Sequence, residues 1–270
     1  MEKYNKIRKT MYSVQLTRWA HLINIKSPYT LIKAIYYMET ASLFLFITQK
    51  IIKSPNFITF LYALTGVIGS FLLLSSQETM FYIGIFMVFT KGTFDWADGP
   101  LARRLNKTSF IGHALDEYGA YVSDAAFRLA FIYYTLRYFP ELMYLFPVAA
   151  FILLITRFNL FSDSMCYKNI VDSPLKGSKK VSDNEFKEVI KDSKKDVSVV
   201  KWYYRYISFL DARARSIDFL LLLLIIDKVF VYNLSELFLI LSMALVLRAV
   251  LMYVAGIYSA FKADKLGLDV

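Results

Sequence analysis

The chain has 270 residues, 57% of them hydrophobic and 17% aromatic, and its 32 Lys and Arg against 22 Asp and Glu give a net charge of +10. Soluble domains average about 45–50% apolar residues, so this excess, with a mean hydropathy of +0.42, points to a membrane protein. One cysteine, Cys166, rules out an internal disulfide framework and reads as an incidental free thiol.

The chain opens on MEKYNKIRKTMYSVQLTRW, basic and mixed, with no continuous apolar core before a cleavage site, so no signal peptide is expected. Residues 31–50 are apolar but interrupted by Lys33 and Glu39, which predicts an amphipathic helix lying at the interface rather than a further span. A span takes about 20 apolar residues, and the runs that qualify are 57–75, 79–95, 112–136, 140–161, 216–232 and 235–261. The predicted fold class is therefore an all-α integral membrane protein, six transmembrane helices preceded by an interfacial amphipathic helix.

Charge orients this array. Residues 1–53 hold nine Lys and Arg against two acids, the 98–111 connection adds Arg103, Arg104 and Lys107, and residues 162–214 add eleven more. The connections at 76–78, 137–140 and 228–234 carry only Arg137 and Lys228. The positive-inside rule then puts both termini, the 98–111 turn and the 162–214 loop in the cytoplasm. Four regions follow: a basic N-terminus with its interfacial helix (1–53), spans one to four (54–161), a charged loop (162–214), and spans five and six with the tail (215–270). Because the basic residues flank apolar runs, anionic lipid and topology account for them and no nucleic-acid partner is expected.

The stretch 95–124, DWADGPLARRLNKTSFIGHALDEYGAYVSD, gathers Asp95, Asp98, Asp116, Glu117 and Asp124 between apolar runs. Asp95 and Asp98, three residues apart on a helix, share a face, about 300° apart around the axis. An antiparallel helix pair, joined by a short turn containing Gly99 and Gly112, would bring Asp116 to them at the cytoplasmic boundary. Ionisable groups in a membrane are costly and point to function, although one aspartate alone could merely end a helix or pair with an arginine. Clustered carboxylates repel one another unless a cation neutralises them, and oxygen-only ligands suit a hard divalent ion such as Mg²⁺, which commonly binds carboxylates together with substrate phosphates. Glycines permit close backbone approach, and Arg103 and Arg104 can meet anionic oxygens. The ensemble describes a site for a metal-bound pyrophosphate.

These residues resemble the signature of the CDP-alcohol phosphotransferases, D-x-x-D-G-x-x-A-R-x8-G-x3-D-x3-D, with Asp95, Asp98, Gly99, Ala102, Arg103, Gly112 and Asp116 in register. Upstream, SPNFITF is similar to the family's P-N-x-x-T entry through Pro55, Asn56 and Thr59. The resemblance implies an enzyme of phospholipid synthesis that moves a substituted phosphate from a CDP-linked donor, CDP-diacylglycerol first among them, to an alcohol with release of CMP. It implies Mg²⁺ or Mn²⁺ on Asp95, Asp98 and Asp116, and a nucleotide pocket formed around Asn56, Thr59, Gly99, Ala102, Arg103 and Gly112. A homodimer among membrane lipids is a further implication. The run LARRLNKTS resembles the branch in which CDP-choline or CDP-ethanolamine is the donor and diacylglycerol the acceptor.

The family's fourth aspartate, its general base, maps to Ala120. Positions 116 and 120 lie about 40° apart on one helix face, which suits a ligand next to a base. Asp124 lies about 80° round and about 12 Å further along, Glu117 points about 100° away, and His113 is off the expected face. The reading carried forward is an engineered base-dead variant of an active transferase, with Asp as the parent residue at 120, made to hold its substrates without turnover. A natural pseudoenzyme that binds a CDP-lipid, and an enzyme with a shifted base, are the alternatives. Arg128 falls on the Asp116 face, deeper, where it can bind a phosphate or pair with Asp124; Arg157 and Arg248 read as snorkelling or internally paired. A transporter is disfavoured, since transporters place acids near the midplane between repeats and no internal repeat is evident.

Overall fold

The computed structural model describes residues 2–19, 28–48, 51–156, 213–230 and 233–265, and among these the regular structure is all helical. In chain order the helices are α1 (Glu2–Trp19), α2 (Pro28–Thr48), α3 (Pro55–Leu72), α4 (Glu78–Thr90), α5 (Gly92–Arg104) and α6 (Phe110–Leu136). They continue with α7 (Pro140–Thr156), which opens on a 3₁₀ turn, α8 (Arg213–Phe230) and α9 (Ser235–Lys265). Contacts divide the chain into two units, Met1–Leu154 with Leu237–Val246, and Ile155–Glu236 with Leu247–Val270. Arg157, Cys166 and nearly all of the 162–214 segment lie outside the described residues.

In the first unit, α3 is the common neighbour of α4, α5 and α6. It begins where Ser54 is extended before Pro55, because a residue preceding proline avoids the helical region while proline itself suits the first helical turn. Small residues then bring backbones together: a Cβ on Gly66 would sit 2.4 Å from that of Ser123 on α6, and one on Gly84 of α4 would sit 2.7 Å from the Gly69 carbonyl oxygen. The far half of α6 packs on the first part of α9, where Phe131 and Phe238 meet edge to face at 5.5 Å and Ser242 donates to Thr135 at 3.1 Å.

The run 79–95, expected as one helix, is divided. Helix α4 ends at Thr90 and α5 starts at Gly92, with the Phe94 amide bonding back three residues to the Lys91 carbonyl at 3.0 Å. This tighter turn separates the apolar α4 from α5, which carries Asp95 and Asp98. Gly99 and Gly112 also differ from expectation, lying inside α5 and in the first turn of α6 rather than in the connection.

By length and composition, two helices among the described residues could cross a membrane, Leu31–Thr48 and Pro55–Leu72. The first is the segment expected to lie at the interface. Its Glu39 is covered by α1: Arg8 Nε donates to both carboxylate oxygens at 2.7 and 2.9 Å, Tyr12 donates at 2.6 Å and Tyr4 at 3.2 Å. Burial foremost, then the Glu39 carboxylate, raises Tyr12 above the ordinary tyrosine value, so its hydroxyl stays a donor. Beneath this network Met11 joins Ala34, Met38, Ala41 and Leu45 of α2 in one apolar cluster with Ile58, Ala97 and Leu101. In the second unit, Asp227 accepts from the Leu234 amide at 3.3 Å, holding the entry into α9.

Candidate active site

Both ends of the α5–α6 connection are capped by local chemistry. At the end of α5 the Lys107 amide bonds to the Ala102 carbonyl at 2.9 Å and the Asn106 amide to the Arg103 carbonyl at 3.2 Å. Asn106 adopts φ of 52°, the left-handed position that ends a helix in this way and that asparagine tolerates. Three residues later Ser109 caps α6, its hydroxyl accepting the Gly112 amide at 3.0 Å. The chain reverses within the five residues 105–109, which returns α6 alongside α3 and presents Asp116 to α5.

The carboxylates converge at this junction. Asp98, 8% exposed, accepts a hydrogen bond from Thr59 Oγ1 of α3 at 2.6 Å and is drawn to the Arg103 guanidinium. Asp95 lies close enough to Asp98 and Asp116 for their charges to act on it. Asn56 approaches α6 where Gly112 has no side chain; a Cβ there would lie 3.1 Å from Asn56 Oδ1. Arg103 folds back over Gly99, its guanidinium nitrogens 3.4 and 3.5 Å from where a Cβ would stand. Ala102 contributes its carbonyl to the turn. The segments 55–59 and 95–116, separate in sequence, thus meet at the ends of α3, α5 and α6.

Residues 52–179 match the CDP-alcohol phosphatidyltransferase family. The match covers a little under half of the chain and takes in both the Pro55–Thr59 entry and the 95–120 motif. CDP-alcohol phosphatidyltransferases are membrane-embedded transferases of phospholipid synthesis that use a CDP-alcohol, generally with a divalent metal. No curated protein and no solved structure matches the chain.

The donor chemistry here suits such a metal: oxygen-only, anionic, and gathered where the carboxylates would otherwise repel. Among the described residues no group of three or more His, Cys, Asp or Glu is arranged to hold an ion as it stands. The fit therefore lies in the kind of donors and in their convergence.

The turns following Asp116 on α6 carry no acid at position 120. Ala120 offers a methyl group, and its carbonyl accepts a hydrogen bond from Ser123 at 3.3 Å. Asp124 is 1% exposed and accepts from Arg128 Nε at 3.0 Å, so this acid is engaged one turn deeper and Arg128 pairs internally. His113 is exposed, and Glu117 is half-buried.

The sequence reading missed Lys91. It is 8% exposed, donates to Ser123 Oγ at 2.7 Å, lies 5.6 Å from the Tyr62 ring and acts on Asp95 as a nearby positive charge. A lysine one helical turn before the first motif aspartate is the signal that could have found it.

Proposed function

We propose that the chain is an integral membrane CDP-alcohol phosphotransferase whose base position is occupied by Ala120. The observation that carries this reading is the convergence of Asp98, Asp95 and Asp116 beside Thr59, Asn56 and Gly112. Asp95, Asp98 and Asp116 would hold the divalent ion, Mg²⁺ or Mn²⁺, which neutralises the charge that builds on the leaving phosphate. Gly99 and Gly112 border the nucleotide pocket, Asn56 and Thr59 flank it from α3, and Arg103 meets an anionic oxygen of the pyrophosphate.

In the reaction the acceptor oxygen attacks the phosphorus joined to the non-cytidine part of the donor. A new P–O ester bond forms, the anhydride P–O bond breaks, and CMP leaves with the electron pair. The proton of the acceptor alcohol must go to a base, and a methyl group at 120 cannot take it. The chain would therefore bind its substrates and turn over slowly. The leading donor is CDP-diacylglycerol, with a small polar alcohol or its phosphate as acceptor; the basic 1–53 and 98–111 segments support a site on the cytoplasmic face. A second reading, a CDP-lipid-binding protein with no catalytic role, draws on Ala120 itself.

The test compares the chain with Ala120→Asp for CMP release from CDP-diacylglycerol and from CDP-choline, with Mg²⁺ or Mn²⁺ and pooled alcohols. Turnover at least about 10²-fold faster by Ala120→Asp than by the chain itself is the expected result. Equal turnover by both forms would overturn the role given to position 120. Metal-dependent binding of CDP-diacylglycerol with turnover by neither form would favour the binding protein.

A further inference from the structure

Lys91 stands at the break between α4 and α5, outside the motif positions, yet its side chain is buried in the bundle. Its backbone is helical, with φ of −51° and ψ of −34°, and the Phe94 amide bonds back to its carbonyl at 3.0 Å. Lys91 and Asp95 are therefore neighbours one turn apart on one face, and the lysine acts on Asp95 as a nearby positive charge. Two other helices fix the side chain. On α3, Gly66 leaves room for the stem: a Cβ there would stand 3.1 Å from Lys91 Cδ. The ammonium lies 5.6 Å from the Tyr62 ring and donates to Ser123 Oγ on α6 at 2.7 Å. Ser123 in turn donates to the Ala120 carbonyl at 3.3 Å. The amine is thus held about one helical turn from Thr59, Asp95 and position 120 alike.

We propose that Lys91 is a positioning residue, the resident counter-cation of the carboxylate cluster: it balances Asp95, Asp98 and Asp116 while no divalent ion is bound, and by opposing the ion it sets the metal affinity. This role rests on the metal-binding reading of the three aspartates. Carboxylates gathered away from water repel one another unless a cation is near. A hydroxyl and a ring face carry no net charge, so Ser123 and Tyr62 hold the ammonium in place without cancelling its field. A bound Mg²⁺ or Mn²⁺ has the same sign as that ammonium, and like charges at short range repel. Removing the lysine charge destabilises the empty cluster more than the loaded one, whose charge the ion has largely cancelled, so the ion then binds more tightly. In the chain as it stands the ion is held weakly by protein alone. It binds best together with the donor's pyrophosphate, since Mg²⁺ commonly takes one or two carboxylates plus substrate phosphates.

The test titrates Mn²⁺ into the full chain in neutral detergent and follows the electron-spin-resonance signal of the free ion. Lys91→Gln, which keeps a donor for Ser123 but removes the charge, is expected to bind Mn²⁺ about tenfold or more tightly than the parent. Lys91→Met, which keeps only the stem, is expected to do the same, so the measurement survives if one of the two fails to fold. Lys91→Arg and Ser123→Ala both keep the charge and stay near the parent's affinity. A purely structural lysine would lower the melting temperature when replaced and would not tighten the ion. Unchanged or weaker binding in Lys91→Gln and Lys91→Met, or tightening by Ser123→Ala as large as theirs, would overturn the proposal. Asp95→Asn is the control on the metal itself and is expected to weaken Mn²⁺. Saturable binding that Asp95→Asn leaves untouched, or none by the parent, would overturn the metal assignment and the role of Lys91 with it.

Discussion

Thr59 Oγ1 on α3 donates to Asp98 Oδ2 on α5 at 2.6 Å, joining two sequence motifs 39 residues apart through two buried side chains. Removing the hydroxyl leaves a buried carboxylate short of a donor, at a cost of about 1.5–3 kcal/mol, and frees the carboxylate to turn. Thr59→Val is expected to lower the melting temperature and to weaken Mg²⁺ binding about 10–100-fold, while Thr59→Ser stays near the parent. Thermal unfolding across a Mg²⁺ titration reads both effects; a Thr59→Val protein with the parent's Mg²⁺ midpoint would break the link between Thr59 and the metal.

Position 120 tests the chemistry. General-base catalysis contributes about 10²–10⁴-fold, so Ala120→Asp is expected to raise CMP release by about 10²-fold or more. Adding Asp116→Asn to Ala120→Asp is expected to remove that gain. Single-turnover release of labelled CMP is the measurement, and survival of the gain without Asp116 would contradict its assignment as a metal ligand.

Asp124 and Arg128 form a pair with side chains 1% and 3% exposed. Breaking it from one side strands a buried charge, and either Asp124→Leu or Arg128→Met is expected to cost about 3–5 kcal/mol. The double variant removes both charges and is expected to recover most of that loss. A double-mutant cycle by denaturation in detergent checks it; a double variant as unstable as the sum of the singles would show that the two residues act independently.

Gly66 carries the close approach of α3 to α6. A methyl group there would stand 2.4 Å from Ser123 Cβ, and a real Cβ cannot stay at that distance, so the helices must part. Gly66→Ala is expected to destabilise the protein by about 1–3 kcal/mol, and to loosen the Lys91–Ser123 bond, which spans the same junction at 2.7 Å. Melting of the two proteins side by side reads the change, and an unaltered midpoint would mean that the backbone yields without cost.

Much of the site was legible because its parts are local. Seven motif positions in register, with Pro55, Asn56 and Thr59 upstream, identified which residues to bring together, and the apolar runs at 57–75 and 112–136 overlie α3 and α6. The turn that joins α5 to α6 rests on residues within a few positions of one another, Asn106 in its left-handed conformation and Ser109 as cap.

The departures have long-range causes. Glu39 looked like an interruption in an apolar helix, and only the docking of α1, 27 to 35 residues away, supplies its three donors. The break at Lys91 follows no turn residue other than Gly92; it accompanies an amine that reaches Ser123, 32 residues on. Asp124, eight residues past Asp116, has its side chain hydrogen-bonded by Arg128. The amino-acid sequence by itself determined the helical periodicity, the apolar runs and the spacing that sets carboxylates on one face, since each depends on neighbours within a turn or two. Tertiary structure decided which charges are neutralised and by whom, because a buried ion's partner is whatever side chain packing delivers to within about 3 Å.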